Sequence, residues 1–413
     1  MAKLAIKGGN KAAEGLKDLI PKWPQSDEDD KKALLEVLES THWCRLYSNS
    51  KVENFERSFA QYHDAKYGIA VGNGTVSLEL ALKAGGVEPG GEVIVPAVTF
   101  IATASAVTEV GAIPIFADID PETATISPKA IEAAITSKTR AVIGVHYGGY
   151  PVDFDAILPI VKKHNLLFIE DAAHAHGTEW KGRKVGAIGD FGSFSFQESK
   201  SLTAGEGGIV LTDSQELWEK AYLTHNIGRK VGIPGYAHLI LSSNYRMTEF
   251  QGALLLSQMK HLDDWTNLKH ENGEYLAREL QKIGGVEPPK RDPRITKRGY
   301  YFFVIRYDKN EFKGLSRDKF VEALNAEGVP CSTAYGVPLY KNPAFDKENL
   351  RGIWAKCIGD IPDYKNLYLP VAENFCANQQ VVIPHTVLMS SRKGIQMIID
   401  SIVKIKENVD ELL

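Results

Sequence analysis

From Tyr67 to Leu211 the chain alternates short apolar runs with segments of helical spacing, and few folds satisfy that order. The strand-like runs are Tyr67–Val71, Glu92–Val95, Ile113–Ala117, Ala141–Val145, Leu166–Ile169, Phe194–Phe196 and Gly208–Leu211. Between them Ser77–Ala84, Ala102–Val110 and Asp153–His164 read as helices. This alternation predicts an α/β fold with a largely parallel sheet and helices on both faces. Right-handed crossovers fix its winding, and ligands are expected beyond the carboxyl ends of the strands.

The flanking regions differ. Residues 1–25 read as an irregular arm, because Gly8-Gly9, Pro21 and Pro24 interrupt any period. A helix is expected next, capped by Ser26, with Asp27 to Asp30 at the positive end of its dipole and Leu34, Leu35 and Leu38 as its apolar face. The acidic run is the solvated start of that helix. Met247–Trp265 leads into a long connecting helix through Leu280. After Gly285 come a strand at Tyr300–Tyr307, a helix at Leu315–Ala326, strands at Val329–Thr333 and Val381–Ile383, and a final helix at Lys393–Val409. The expected division is an arm (1–25), a large domain with its connecting helix (26–284) and a smaller α+β domain (285–413).

Composition narrows the function classes. The 413 residues carry 48 basic and 52 acidic side chains, a net charge of −4 that builds no basic field for nucleic acid. Cys44, Cys331, Cys357 and Cys376 are far apart and form no CxxC pair, so no metal site is expected and the thiols read as inert in a reducing compartment. No run approaches the length of a membrane span, and a soluble cytoplasmic protein is the expectation.

Three turns of the large domain carry chemistry. In Val71-Gly72-Asn73-Gly74-Thr75, between strand and helix, glycines admit close approach of backbone N–H groups to an anion, although a tight turn alone also needs glycine. In Ile169-Glu170-Asp171-Ala172-Ala173-His174 an acid ends a strand, where it caps a helix, meets a metal or holds a protonated ring nitrogen. In Ser193 to Lys200, followed by Leu202-Thr203-Ala204-Gly205-Glu206-Gly207-Gly208, a lysine sits between apolar segments. Desolvation there lowers a lysine's pKa and makes its amine nucleophilic. Together the turns offer an anion cradle, a carboxylate and a Schiff-base lysine, which is what pyridoxal phosphate requires of a protein.

These blocks, with Gly91-Glu92-Val93-Ile94-Val95-Pro96-Ala97-Val98-Thr99-Phe100 and Ile169 to Gly177, closely resemble the DegT/DnrJ/EryC1/StrS family of sugar aminotransferases, from Pro24 to the final helix. The resemblance implies the fold-type-I architecture of pyridoxal-phosphate enzymes and assigns roles. Lys200 would form the Schiff base and then move the substrate proton. Asp171 would pair with the ring nitrogen, His174 would reach the phenolic oxygen, and Phe100 would stack on the ring. Gly74, Thr75 and Ser195 would bind the phosphate. Asn244, in Ser243-Asn244-Tyr245-Arg246, would enter the neighbouring subunit's phosphate site, making the unit a homodimer with shared active sites.

Within the family, Ser195-Phe196-Gln197, the Leu202 to Gly208 stretch, Pro384-His385, Trp43 and Arg45 are similar to the branch of scyllo-inosose aminotransferases and 3-amino-5-hydroxybenzoate synthases. This implies a keto-cyclitol or keto-sugar acceptor and L-glutamine or L-glutamate as donor, with a dehydrating, aromatising synthase as the alternative. Sugar dehydratases of the family carry histidine where this chain has Lys200. Arg229, Arg246, Tyr335 and His385 stand open between substrate contact and structural hydrogen bonding, as do His146 and Tyr147 between site and core. His176, Glu170, Phe194 and Phe196 read as packing residues.

Overall fold

The computed structural model describes residues 3–47, 49–230, 236–350 and 362–413; Cys357 and part of the expected C-terminal domain lie outside them. Seven strands form the main sheet: Tyr67–Val71 (β1), Glu92–Pro96 (β2), Ile113–Ala117 (β3), Thr139–Val145 (β4), Leu167–Asp171 (β5), Phe191–Ser195 (β6) and Gly208–Thr212 (β7). Their spatial order is β1-β7-β6-β5-β4-β2-β3. Only β7 runs against its neighbours; the other pairings are parallel. Consequently the carboxyl ends of β1, β2, β4, β5 and β6 share one edge, and the start of β7 joins them there.

Alternation along each strand makes the sheet two-faced. Ile69, Val71, Val93, Val95, Ala141 and Ile143 enter one core with helices Gly74–Ala84 and Ala102–Glu109. Ala70, Ile94, Val142 and Phe168 enter the other, with helices Lys51–Tyr62 and Phe154–Lys163. Both faces are dry, so the strands read as continuous apolar runs. Helices Lys51–Tyr62, Pro128–Ala134 and Gln215–His225 lie beyond those expected from the sequence.

Three expectations are corrected. The helix of residues 28–40 is capped by Asp27 rather than Ser26. The Asp27 carboxylate accepts from Asp30 N–H at 3.1 Å and Asp30 accepts from Asp27 N–H at 3.1 Å, a reciprocal box that a charged acceptor makes better than a hydroxyl. Its apolar face does not enter the core of the chain: Leu35 and Leu38 are 53% and 50% exposed, and Val37 and Asp30 are buried instead. Third, Val329–Thr333 is no strand and makes a single bridge, Ser332 to Val382. Pro330 has no N–H to give, and the Asn325 amide bonds the Cys331 carbonyl at 3.0 Å, so the ladder cannot propagate.

A second sheet of Val286–Glu287, Phe302–Tyr307 and Gln380–Pro384 packs against helices Arg317–Ala326 and Arg392–Glu407 and the end of Leu262–Ile283. The strand expected from Tyr300 begins at Phe302, because Tyr300 has φ 38°. The N-terminal arm is not irregular throughout. It contains a short helix, Leu16–Leu19, and buries Leu4, Ala13 and Leu16 in this second core. Glu327 holds it by accepting from the N–H groups of Ala5 and Ala12, each at 2.8 Å. Among the described residues no helix is long and apolar enough to cross a membrane.

If the arm is part of that core, Leu16→Ala is expected to cost about 2–4 kcal/mol of stability. The check is the shift of the denaturation midpoint; an unchanged midpoint would show that the arm merely lies on the surface.

Candidate active site

At the shared carboxyl edge opens a cavity of about 760 Å³, lined by Gly74, Thr75, Phe100, Asp171, His174, Ser195, Lys200, Tyr301 and Tyr335 among others. The sequence placed the first seven there; Tyr301 it did not single out. The turn expected to cradle an anion is built by packing. A side chain on Gly74 would put its Cβ 2.6 Å from that of Ser195, so only glycine lets the helix begin against the end of β6. Asn73 caps that helix by accepting from Val76 N–H at 2.9 Å. Helix geometry leaves the N–H groups of Gly74 and Thr75 without intrahelical acceptors, beside the hydroxyls of Thr75 and Ser195.

Asp171 ends β5, buried. Its carboxylate accepts from Thr103 Oγ1 at 2.7 Å and from Ala173 N–H at 3.3 Å. Burial raises its pKa, and Thr103, the Ala173 N–H and Lys200 oppose the rise. His174, also buried, lies face to face with Tyr301 at 4.3 Å, and its Nδ1 has no partner. Burial pushes it well below the ordinary imidazole range, so it is neutral.

Lys200 sits in the turn after β6, where its N–H donates to Gln197 O at 2.8 Å. Its Nζ lies 4.1 Å above the Tyr301 ring. Burial lowers its pKa to about 8, and the negative charge of Asp171 partly restores the ammonium. Tyr301 is fixed in turn by Ser199, hydroxyl to hydroxyl at 2.8 Å.

Two supports come from elsewhere in the chain. The Trp23 indole N–H points at the carbonyls of Glu198 and Lys200, each at 3.1 Å, which ties the N-terminal arm to the lysine turn. Lys269 is fully buried and donates to Ser201 Oγ at 2.8 Å and to Tyr300 O at 3.2 Å, joining the neighbours of Lys200 and Tyr301. Burial pulls its pKa down to about 7. Its place on the buried stripe with Leu262, Trp265 and Leu276 was the signal that it is no surface lysine.

The remaining candidates separate clearly. Phe100 is 52% exposed at the cavity mouth. Asn244 is exposed, accepts from Arg246 N–H at 3.2 Å, and does not reach this cavity. Arg246 bonds Asn226 Oδ1 at 2.8 Å, and Arg229 contacts His238 at 3.3 Å; neither lines the cavity. Arg45 is paired with buried Glu56, and Trp43 is half-exposed. His385 and Tyr335 line an adjoining cavity of about 440 Å³ with Trp23 and Tyr301. Glu170 is structural: it accepts from Gly186, Ile188 and Gly189 N–H at 2.6, 2.7 and 2.7 Å and faces His146 Nε2 at 3.0 Å. Since His146 Nδ1 accepts from Val152 N–H, its proton is on Nε2 and points at Glu170. Tyr147 is buried and pairs with Gln380; His176, Phe194 and Phe196 form an aromatic core.

The mostly parallel sheet flanked by helices is the fold-type-I architecture of pyridoxal-phosphate-dependent transferases, and a helix N-terminus, a buried carboxylate and a buried lysine meet at one of its edges. Residues 24–403 match the DegT/DnrJ/EryC1/StrS aminotransferase family, and the chain belongs to it. A relative from Micromonospora echinospora, described as a putative L-glutamine:3-amino-2,3-dideoxy-scyllo-inosose aminotransferase, is 37% identical over 99% of this chain and 98% of its own. The 3-amino-5-hydroxybenzoate synthase of Amycolatopsis mediterranei is 38% identical over 79% of this chain and 84% of its own. The crystal structure of an aminotransferase from Psychrobacter cryohalolentis superposes with a TM-score of 0.84 at 32% identity, covering 95% of this chain and all of that one.

The Lys200 amine is expected to titrate near 8 rather than near the ordinary ~10.4, because burial disfavours its charged form. Labelling of the Lys200 peptide by an amine-reactive reagent across pH, in protein freed of cofactor, measures this. Asp171→Asn removes the charge that favours the ammonium and should move the midpoint lower still. A wild-type midpoint near 10 would contradict the assignment.

Proposed function

We propose that this aminotransferase moves an amino group from L-glutamine or L-glutamate to a keto-cyclitol or keto-sugar, with pyridoxal phosphate held at Lys200. The observation that carries the reading is the pairing, in one cavity, of an amine with its pKa near 8 and a buried carboxylate. The residues fit the cofactor on the chain's own geometry: Gly74 leaves the space a phosphate-binding helix end needs, and His174 Nδ1 is a buried polar atom without a partner.

In this reading the N–H groups and hydroxyls at Gly74, Thr75 and Ser195 hold the phosphate. Asp171, steadied by Thr103, keeps the ring nitrogen protonated, His174 meets the phenolic oxygen and Phe100 covers the ring. Pyridoxal phosphate, when bound, supplies an aldehyde that takes up an amino group and a protonated ring that accepts an electron pair. Lys200, once its Nζ is free, would move the proton between the donor's α-carbon and the carbon of the cofactor's aldehyde group. It can do so near neutral pH because desolvation has brought its pKa down to about 8. Trp23 and Tyr301 keep that amine aimed and shielded from water.

We also propose a homodimer. Leu35, Leu38, Trp43, Leu46 and Tyr47 form one run of exposed apolar residues, and Tyr236, Leu239, Ile240 and Leu241 another beside Asn244. Exposed apolar surface of this kind marks an interface, and burying the second run would carry Asn244 to a neighbour's phosphate site. A cytoplasmic setting accords with free thiols at Cys44, Cys331 and Cys376. In this reading residues 1–25 are the arm, 26–284 the large domain with its connecting helix and 285–413 the small domain, on which the arm docks. The relatives named for scyllo-inosose amination support a cyclitol acceptor. The synthase relative supports an aromatising alternative, which an aromatic product would reveal.

Adding L-glutamine, then L-glutamate, to the cofactor-loaded enzyme is expected to bleach its visible absorption, and a keto-cyclitol should restore it. A loaded enzyme that ignores both donors would overturn the reading. Lys200→Ala and Asp171→Ala are each expected to lower turnover roughly 10²–10⁴-fold. Glu170→Ala should instead cost about 3 kcal/mol or more of stability, by stranding one buried and two half-buried N–H groups, while the folded fraction keeps its turnover. Equal catalytic losses at Asp171 and Glu170 would undo the ring-nitrogen role.

A further inference from the structure

Between helix Leu262–Ile283 and the segment that follows Glu287 lies a separate cavity of about 300 Å³. It shares no lining residue with the catalytic cavity. One wall is helix Leu262–Ile283; the other is the segment Pro288-Pro289-Lys290-Arg291-Asp292-Pro293, whose three prolines hold its shape before any ligand arrives.

At its base is Arg298, only 5% exposed. Its guanidinium lies 4.1 Å from the centre of the Tyr300 ring and 5.1 Å from that of Tyr150, and its Nε and Nη2 have no hydrogen-bond partner. A buried guanidinium is costly unless its charge is met, and among the described residues no carboxylate forms an ion pair with it. Arg278 on the helix and Arg291 on the proline segment also lack ion pairs among the described residues. The other charges on the walls largely cancel. Lys290 is paired with Glu122 at 2.6 Å, and Asp292 with Arg294 at 2.6 Å, a guanidinium that Asp153 and Asp155 share. Among the described residues Glu274 is the one lining acid without a cation, held by the Tyr300 hydroxyl at 3.4 Å. Three guanidinium groups without ion pairs against one unpaired carboxylate make the lining favourable to an anion.

We propose that this cavity binds the phosphate group of a small phosphorylated molecule, with Arg298 beneath the anion and Arg278 and Arg291 closing over it. A phosphate brings more negative charge and more acceptor oxygens to the three guanidinium groups than a monocarboxylate does. Guanidinium groups also match the geometry of phosphate oxygens. The volume is at the lower end of the range for small-ligand sites.

The test uses the cofactor-loaded enzyme, so that the catalytic phosphate place is already filled, and titrates inorganic phosphate by calorimetry at constant ionic strength. Saturable binding at one site per chain is expected. Arg291→Glu and Arg278→Glu, both on exposed positions, should each weaken it roughly tenfold or more without altering turnover. Lys393→Glu, an exposed charge elsewhere, should leave it unchanged. Arg298→Gln should abolish it, and the two surface variants decide the matter if that protein does not fold. Absence of saturable binding, equal affinity for acetate, or equal weakening by Lys393→Glu would each overturn the proposal.

Discussion

Two ionisable groups, Lys200 and Asp171, are held largely out of water at the end of an apolar sheet, and most of the surrounding architecture follows from keeping them there. Burial acts on them in opposite directions. It favours the neutral amine and the neutral acid, while their mutual attraction favours both charges. The result is an amine that loses its proton near neutral pH and a carboxyl group supported by hydrogen bonds from Thr103 and the Ala173 N–H. His174, driven neutral by the same dryness, adds no competing positive charge beside Lys200.

The smaller sheet and the N-terminal arm serve this arrangement through contacts made far along the chain. Tyr301 lies under the amine and against His174, and Trp23 holds the carbonyl of Lys200 itself. Lys269 ties Ser201 to Tyr300 from beneath. A buried lysine with two polar partners and no counter-ion among the described residues is costly, and it fixes the two segments that flank the Lys200 amine. Glu170 does the corresponding work beside Asp171, collecting the N–H groups of the loop that leads into β6.

The doubly covered sheet was legible because its strands are short, apolar and separated by clear turns, and the three chemical turns were legible because each follows a strand. Lys200, Asp171, Gly74, Thr75, His174, Ser195 and Phe100 do line one cavity. What escaped sequence reading depends on distance along the chain. Nothing local tells that Trp23 meets Lys200, or that Tyr301 rather than Tyr300 faces the amine. The apolar face at Leu35 and Leu38 was legible but not what it meets, because an apolar stripe looks the same whether it faces the chain's own interior or a partner. Asp27 displaced Ser26 as the cap because Asp30, three residues on, completes a reciprocal pair. Pro330 was the overlooked residue in Val329–Thr333, since a missing N–H counts only once a neighbouring strand needs it.

The central claim is that the turn after β6 presents the reacting amine. Reducing the cofactor-loaded enzyme with borohydride and mapping the labelled peptide by mass spectrometry tests it directly. Modification confined to Lys200 is required. Label on buried Lys269 or any other lysine, or none on Lys200, would contradict the account.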